Sequence, residues 1–269
     1  MDTSAQLDAD LRKATVERKK HGGYRCLGRQ RDGNYALSVG MPTACFSPAQ
    51  LRSLADVVEK YAAVGHFSTA QSMIIVGIKE EDFYRARQAV MDAGFQVRSI
   101  GRDVRQVKCC PGADFSPFGL QRTFPMATLL EETFRGVPTP VKFKISVSGC
   151  PNCCANTKLN DFGIHGTVDG WKIFIGGKMG NTPAIAREFA SSVSSDDVPR
   201  YLAAVLRGYQ GLAKPDERLS RTIERIGLEA FKESVSQYLD MPYDDLAAAA
   251  KEARQAAEQS ECIGPKGHR

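Results

Sequence analysis

VKFKISVSGCPNCC, residues 141–154, decides the fold because it joins a strand pattern to a group of cysteines. Side chains of a strand alternate between its two faces, so apolar and polar residues of this stretch separate. The apolar face holds Phe143, Ile145 and Val147, and the polar face holds Lys142, Lys144, Ser146 and Ser148. The stretch therefore predicts a strand that packs one face on the core and then turns into a helix bearing the cysteines.

Cysteines cluster at two places in the chain. The pair Cys109-Cys110 and the group Cys150, Cys153 and Cys154 hold five of the eight cysteines. Structural disulfides would be spread along the chain, whereas crowded thiolates in a chain without an export signal indicate a bound metal. Residues four apart on a helix share a face, so Cys150 and Cys154 can reach one inorganic core, and Cys153 is not excluded. The pattern favours an iron–sulfur cluster over a set of buried cysteines.

Positive charge lies close to both cysteine groups. In isolation, a strand of this pattern would expose Lys142 and Lys144 to solvent. Because the strand ends a few residues before Cys150, the two lysines can instead bind an anion. Arg105 adds a third positive charge four residues before Cys109. These cations predict an anion site beside the cluster.

Upstream of these motifs, strand patterns alternate with helix patterns. A strand over 34–40 precedes a helix capped by Ser47, and a strand over 72–77 precedes a helix over 80–93. A short extended segment follows over 96–100. This order predicts an α+β layer.

Downstream of residue 101 the alternation restarts. A strand is predicted from Val104 into Cys109, and a helix over 119–134. After the cysteines, Asp169-Gly170 marks a hairpin between two strands. The chain beyond this hairpin is predicted to be helical, including IAREFA at 185–190 and the alanine-rich tail.

Composition sets outer limits on the function. The 269 residues are 42% apolar and 25% charged, which is ordinary for a protein of one or two domains. No apolar run reaches membrane-spanning length, and the first residues lack the apolar stretch of a secretory signal, so we expect a cytoplasmic protein without membrane contact. The net charge is +5, and much of it lies near the N-terminus. No aromatic residues alternate with these basic residues, so we expect a solvated terminus rather than one that binds nucleic acid.

Several of these segments resemble the nitrite and sulfite reductases that couple a siroheme to a [4Fe-4S] cluster, in a small form with a single repeat. The resemblance runs from about residue 34 to about residue 231, and it is most specific in DVRQVKCCPGADFSPFGLQRT and in SVSGCPNCCANTKLNDFGIHGTVDGWKIFIGGKMG. It implies an α+β fold in four regions: a basic N-terminal extension (1–33), a ferredoxin-like half domain (34–101), an α/β siroheme/[4Fe-4S] domain (102–190) and a helical C-terminal region (191–269).

The resemblance also implies roles for individual residues. In this family four thiolates hold the cluster, and the last of them also bridges to the siroheme iron. Three of these positions match Cys110, Cys150 and Cys154, with Cys154 at the bridging position. The anion-binding positions match Arg105, Lys142 and Lys144.

Glycines near the second cysteine group are further candidate cofactor contacts, since glycine lets a flat macrocycle approach the backbone closely. The candidates are Gly176 and Gly177, with Gly163 and Gly166 in the same region, and turn formation explains some of these glycines equally well. Asn152, within the second cysteine group, is a candidate contact as well. His165 is a weaker candidate for an axial or proton-relay residue, because a histidine in a strand is more often a packed side chain.

Three positions depart from the family pattern. The second cysteine of the first arm is Ser116, an arginine before Gln71 is Ala70, and an asparagine after Arg105 is Gln106. A serine oxygen is a harder iron ligand than a thiolate. The fourth ligand is therefore open among Ser116, Asp114, Cys109 and Cys153, or one iron is missing.

The function implied by the resemblance is multi-electron reduction of a small oxyanion, nitrite or sulfite, on siroheme. The chain has no GxGxxG after a strand, so an external ferredoxin-like donor would supply electrons. Relatives commonly carry two repeats, and a symmetric homodimer would recreate that arrangement. The alternative is a non-catalytic protein for electron transfer, siroheme carriage or redox sensing.

Overall fold

Two five-stranded sheets organise the computed structural model, which describes residues 27–98 and 101–259. The strands are β1 (Leu27–Arg29), β2 (Tyr35–Gly40), β3 (Val64–Phe67), β4 (Met73–Ile78), β5 (Gln96–Val97), β6 (Lys108–Cys109), β7 (Ile145–Ser148), β8 (Phe162–Thr167), β9 (Gly170–Ile175) and β10 (Arg187–Val193). The helices are α1 (Pro48–Tyr61), α2 (Phe83–Asp92), α3 (Gly112–Phe115), α4 (Thr123–Phe134), α5 (Val198–Leu212), α6 (Leu219–Ile226), α7 (Leu228–Leu239) and α8 (Tyr243–Gln259). The mixed architecture confirms the predicted α+β class.

The first sheet is antiparallel, with strand order β1-β2-β4-β3 and β5 paired to β2. Helices α1 and α2 lie against it and share its buried core. The predicted cap of α1 is confirmed, since Ser47 Oγ accepts from Gln50 N–H at 3.2 Å and the Gln50 side chain accepts from Ser47 N–H at 2.9 Å. Strand β1 falls within the predicted N-terminal extension, whose residues 1–26 lie outside the described ranges. The domain limits stay predictions.

The second sheet has the order β10-β9-β8-β7-β6. Strands β6, β7 and β8 run parallel, and β8, β9 and β10 run antiparallel around the predicted hairpin. One face of this sheet, including Ile145 and Val147, packs on α4 and α5 in the larger core. Parallel strands are covered on both faces, and β7 accordingly has no exposed residue.

The other face of β7 is polar but fully buried. Ser146 and Ser148 are both 0% exposed because the loop 149–161 covers them. Ser146 Oγ accepts from Asn160 Nδ2 at 3.0 Å, and Ser148 Oγ accepts from the backbone N–H of Ala155 at 3.1 Å. The loop that carries the cysteines is thus held on the sheet by hydroxyl groups.

Several predicted elements differ from the structure. IAREFA is wrong as a helix, because residues 187–193 form the edge strand β10. The cysteines after β7 do not lie on an α-helix either; residues 150–155 form turns before a short 3₁₀-helix (Thr157–Leu159), and Cys153 has a φ of 60° that an α-helix does not contain. The predicted strands over 104–109 and 141–148 are shorter, with regular pairing only at their carboxyl ends.

A buried ion pair fixes the junction between the two sheets. Arg98, whose N–H donates to Ser38 O in β2, pairs with Glu131 of α4, and each side chain is 5% exposed. Glu131 also accepts the backbone N–H of Val107 at 2.8 Å. The pair therefore connects the first sheet to the segment leading into β6. None of the described helices is long and apolar enough to cross a membrane.

Candidate functional site

The two cysteine arms meet at the carboxyl ends of β6 and β7. These strands are parallel neighbours, so the residues that follow them emerge at the same edge of the sheet. Cys110 N–H donates to Val147 O at 3.1 Å, and Cys110 Sγ accepts from the backbone N–H of Gly149 at 3.2 Å. An N–H group at that distance stabilises a thiolate. Cys110 therefore lies directly beside the residue that precedes Cys150.

Close backbone packing holds the arms together. A Cβ on Gly149 would lie 2.5 Å from Gly112 Cα, and one on Gly112, whose φ is +54°, would lie 2.5 Å from a side-chain carbon of Thr123. Gly149 O also accepts from the N–H groups of Leu120 and Gln121, at 2.7 and 3.0 Å. Only glycine fits at both positions. Sequence analysis did not single out these two glycines, although Gly149 directly precedes Cys150 and Gly112 lies two residues after Cys110.

The second arm places its three cysteines differently. Cys150 is buried, Cys153 is partly buried and Cys154 is exposed. Cys153 Sγ lies 2.6 Å from Thr157 Oγ1, so this thiol contacts its own loop. The helical face that we predicted for Cys150 and Cys154 is wrong because the segment is a series of turns. Cys154 nevertheless remains accessible at the surface of that loop.

Cys109 lies on the opposite side of its strand from the anion site. Its side chain is 2% exposed, belongs to the larger core and contacts Thr43 O at 3.9 Å. Burial, followed by the neighbouring Cys110 and Cys45 thiols, raises the pKa of Cys109 to about 12. Its place in the larger core sets Cys109 apart from the exposed Cys154.

Ser116 ends the single turn of α3. Its N–H donates to Gly112 O at 2.7 Å, and its hydroxyl accepts from Phe118 N–H at 3.4 Å. Asp114, the other oxygen donor in this arm, pairs with Arg122 at 2.8 Å. Ser116 therefore lies in the same short loop as Cys110, while Asp114 is already engaged.

The described thiols are all free and have the chemistry for an iron–sulfur cluster. Cys110, Cys150 and Cys154 supply soft donors from two adjacent arms, and Gly149 N–H supports one of them. Within residues 27–98 and 101–259, no three His, Cys, Asp or Glu side chains are gathered closely enough to hold a single metal ion.

Five basic side chains gather beside these arms, and we call them the cation cluster: Arg105, Lys108, Lys142, Lys144 and Arg218. Burial lowers the pKa of Lys144, and the charges of Lys142 and Arg218 lower it further. Burial, then Arg218 and Arg105, likewise lowers the pKa of Lys142. The cations are therefore close enough to repel one another.

Lys108 links the cation cluster to the cysteine loop. It is 9% exposed and pairs in register with Ser146, on the polar face of the sheet. Burial lowers its pKa, Lys144 lowers it further, and Cys153 raises it. Sequence analysis missed this residue, although strand alternation places it opposite Cys109 and hence on the face that carries the lysines.

One carboxylate, Asp161, organises the cation cluster. Its side chain is 1% exposed and accepts from Arg218 Nη2 at 2.6 Å and from Arg218 Nε at 3.2 Å. It also accepts the backbone N–H of Lys144 at 2.9 Å. Burial raises the pKa of Asp161, and the Arg218 charge and these hydrogen bonds oppose that effect. No local sequence signal pointed to Arg218, which lies far downstream at the start of α6.

Arg105 is a member of the cation cluster that belongs to the first arm. It pairs with the buried Asp103 at 3.3 Å and donates to Gly101 O at 2.6 Å. Burial lowers its pKa, and the Arg218 charge lowers it further. The structure therefore brings together all three cations that we predicted and adds two.

Contacts within the protein explain the glycines that we predicted as cofactor contacts. A Cβ on Gly177 would lie 2.6 Å from Lys158 O, and Gly176 has a φ of +80°. A Cβ on Gly163 would lie 1.9 Å from Thr157 O. The protein's own backbone therefore already requires these glycines, and Asn152 is exposed in the cysteine loop. Contacts of Asn152, Gly176 and Gly177 with a cofactor stay predictions.

His165 is packed rather than poised at the site. It is 6% exposed, and its ring lies 4.7 Å from the ring of Phe174. Burial lowers its pKa, and the charges of Lys158 and Lys172 add to that effect. A neutral, packed imidazole agrees with the preferred interpretation of this residue.

Two glutamines attach the first sheet to the first cysteine arm. The Gln71 side chain accepts from Cys109 N–H at 2.8 Å and donates to Cys109 O at 2.6 Å. The Gln106 side chain bonds both Met41 N–H, at 3.1 Å, and Met41 O, at 2.8 Å. Gln106, one of the departures from the family pattern, thus has a structural role, and Ala70 lies next to this junction.

Two protein-family models match the chain. Residues 100–243 match the nitrite and sulphite reductase 4Fe-4S domain, and residues 28–92 match the nitrite/sulfite reductase ferredoxin-like half domain. The fold is similar to that of the NirA protein of Mycobacterium tuberculosis, with a TM-score of 0.70 and 22% identity over 82% of this chain and 44% of that one. Residues 28–92 are accordingly a ferredoxin-like half domain, as predicted for this part of the chain.

Two relatives show how the chain compares in length. A Bacillus subtilis nitrite reductase [NAD(P)H] is 34% identical over 74% of this chain, but the chain spans only 25% of that protein. An assimilatory-type sulfite reductase of Nitratidesulfovibrio vulgaris is 30% identical over 77% of this chain and 94% of its own length. With two matching family models and a relative covered almost end to end, the chain belongs to the nitrite and sulfite reductase family.

Proposed function

We propose that the protein holds a [4Fe-4S] cluster through Cys110, Cys150 and Cys154 and reduces nitrite or sulfite with the help of a siroheme. The observation that carries the proposal is the cation cluster beside the two cysteine arms, in which five basic side chains face two buried carboxylates, Asp161 and Asp103. Such an excess of positive charge, most of it at least partly buried, is costly unless an anion balances it. A small oxyanion supplies that balance.

The residues of the chain would perform binding and proton transfer. Arg105, Lys142 and Lys144 contact the oxyanion and neutralise its charge, while Asp161 and Arg218 hold the segment that carries Lys144. A lowered pKa makes the ammonium groups of Lys142 and Lys144 better proton donors than a lysine with the ordinary pKa. Siroheme and cluster, if bound, would relay electrons from an external donor to the oxyanion.

The electron source and the assembly follow from the same proposal. The chain has no nucleotide-binding motif of its own, which favours an external ferredoxin-like donor. Clustered free thiols favour a reducing, cytoplasmic compartment. A homodimer would place two copies of the repeat together, as in relatives with a doubled unit.

A non-catalytic role in electron transfer, siroheme carriage or redox sensing is the second candidate. The specific observation behind it is the replacement of a thiolate by Ser116 and of an arginine by Ala70. Both changes weaken the site without removing the cation cluster. A protein of this kind would keep its cofactors and lack turnover.

Anaerobic purification followed by a visible spectrum and a turnover assay separates the candidates. We expect tetrapyrrole bands with a cluster shoulder, and oxidation of reduced methyl viologen that depends on nitrite or sulfite. Both cofactors without turnover on either anion would favour the non-catalytic role. A protein that takes up neither cofactor after reconstitution would contradict both.

Lys144→Met tests the anion-binding role. We expect turnover to fall by at least tenfold, because removal of one positive charge weakens stabilisation of the anion. The pKa of Lys144 is lower in the folded protein than in the unfolded one. Between these two pKa values the unfolded state binds more protons, so the free energy of unfolding rises with pH. Removing the charge therefore should not lower the melting temperature at neutral pH. The exposed Lys251→Met is the control; a large stability loss with unchanged turnover would support a purely structural role.

Ser116→Cys tests the fourth ligand. A thiolate is a softer iron ligand than a hydroxyl, and residue 116 lies in the loop that also carries Cys110. We expect higher iron and sulfide content and slower loss of the cluster in air. Unchanged content, together with a wild-type four-iron resonance that disappears in Cys109→Ala or Cys153→Ala, would transfer the role to one of those cysteines.

A further inference from the structure

A cavity of about 310 Å³ lies at the end of β9, where residues 178–187 meet the start of α6. No cysteine and no member of the cation cluster lines it, although Gly176, a predicted cofactor contact, does. Ile175, Pro183 and Ile223 form its apolar walls. Its volume is at the lower end for ligand sites and suits a small molecule.

The lining of this cavity is positively charged. Lys178, Arg187 and Arg221 contribute three positive charges, and Glu224 contributes one negative charge. Arg221 pairs with Glu224 at 2.6 Å. Within the part of the chain that the structure describes, Lys178 and Arg187 have no carboxylate within ion-pair distance; Lys178 donates only to Thr182 Oγ1, at 2.8 Å. Two uncompensated cations beside apolar walls attract an anion.

Ser220 supplies a hydrogen-bond group without a protein partner. It lines the cavity and is 7% exposed, and its buried Oγ has no hydrogen-bond partner among the described residues. Buried hydroxyl groups nearly always have a partner, so an orphan one next to a cavity indicates a ligand. Ser220 is the second residue of the eight-residue helix α6, where backbone N–H groups and the helix dipole also favour negative charge.

We propose that this cavity binds an oxyanion group, to which the Ser220 hydroxyl donates and whose charge Lys178, Arg187 and Arg221 balance. The group is either a free tetrahedral oxyanion or the carboxylate of a small organic acid, since both present oxygen acceptors to the same donors. The residues that would hold the oxyanion, Ser220, Lys178, Arg187 and Arg221, belong neither to the cysteine arms nor to the cation cluster, so phosphate or acetate binding is measured apart from the proposed reduction.

Calorimetric titration of the purified full chain with inorganic phosphate, and separately with acetate, tests the site. We expect Ser220→Ala to weaken binding about tenfold, because it removes a hydrogen bond to a charged group. We expect Glu224→Gln to strengthen binding several-fold, because it releases Arg221 from its ion pair. The exposed Ser236→Ala on α7 should change nothing.

The two probes distinguish the sources of the oxyanion. Tighter binding of phosphate identifies a site for a free tetrahedral oxyanion, and tighter binding of acetate identifies a site for a carboxylate. Binding of neither probe at millimolar concentration would overturn the proposal. Equal affinities in wild type, Ser220→Ala and Glu224→Gln would overturn it as well, and the second variant covers the case in which the first fails to fold.

Discussion

Asp161→Asn should destabilise the protein by about 3–5 kcal/mol, the cost of leaving a buried charge without its partner. Arg218 would lose its carboxylate while the other four cations of the cluster remain nearby. For a chain of this length the loss corresponds to a fall in melting temperature on the order of 10 °C. Thermal denaturation followed by circular dichroism measures it.

Asp216→Asn is the matched control for this variant. Asp216 also pairs with an arginine, Arg102 at 2.5 Å, but both side chains are exposed, so its loss should have little effect. The double variant Asp161→Asn/Arg218→Met should recover most of the lost stability, because it removes both buried charges. If Asp161→Asn behaved like Asp216→Asn, the organising role of Asp161 would be wrong.

Cys150→Ala should abolish cluster binding, since each thiolate ligand supplies a bond that the remaining protein does not replace. We expect iron and sulfide in the anaerobically purified variant to fall to background, and the same for Cys110→Ala and Cys154→Ala. Cys26→Ala and Cys262→Ala, outside both cysteine groups, should retain the wild-type content. Metal analysis combined with electron paramagnetic resonance of the reduced protein measures the effect.

The backbone of the arms should be unaffected by Cys150→Ala and Cys154→Ala, whereas Cys110→Ala removes the Sγ that accepts from Gly149 N–H. The bonds between Gly149 O and residues 120–121, and the contact of Gly149 with Gly112, involve no cysteine side chain. The melting temperature of cofactor-free Cys150→Ala and Cys154→Ala should therefore match that of cofactor-free wild type. Normal iron content in Cys150→Ala would remove this residue from the ligand set.

Local sequence patterns predicted most elements whose signals are themselves local. The Ser47 cap and the hairpin at Asp169-Gly170 lie where their motifs placed them. The cysteine segment failed as a helix because hydrogen bonds to Ser146 and Ser148 in β7 hold the loop flat on the sheet. Those partners are contributed by tertiary structure, which helical spacing does not report.

Residues of the candidate site were predictable when they lie close to the cysteines along the chain, and not when they lie far from them. Lys142 and Lys144 lie on the strand that leads to the cysteines, so alternation and proximity sufficed to find them. Arg218 reaches the same place only because Asp161 ties the start of α6 to the second sheet. The strand at 187–193 was read as helical for a similar reason: its pairing with β9, rather than its own apolar period, determines its structure.

The two hydrogen bonds between the Gln71 side chain and the Cys109 backbone have a consequence for assembly. Strand β6 is an edge of the second sheet, and edge strands offer unpaired backbone groups to other chains. The Gln71 amide satisfies both the N–H and the C=O of Cys109 on the side away from β7, in the manner of an additional strand. This edge is closed to intermolecular β-pairing, and two copies of the protein would have to associate through some other surface.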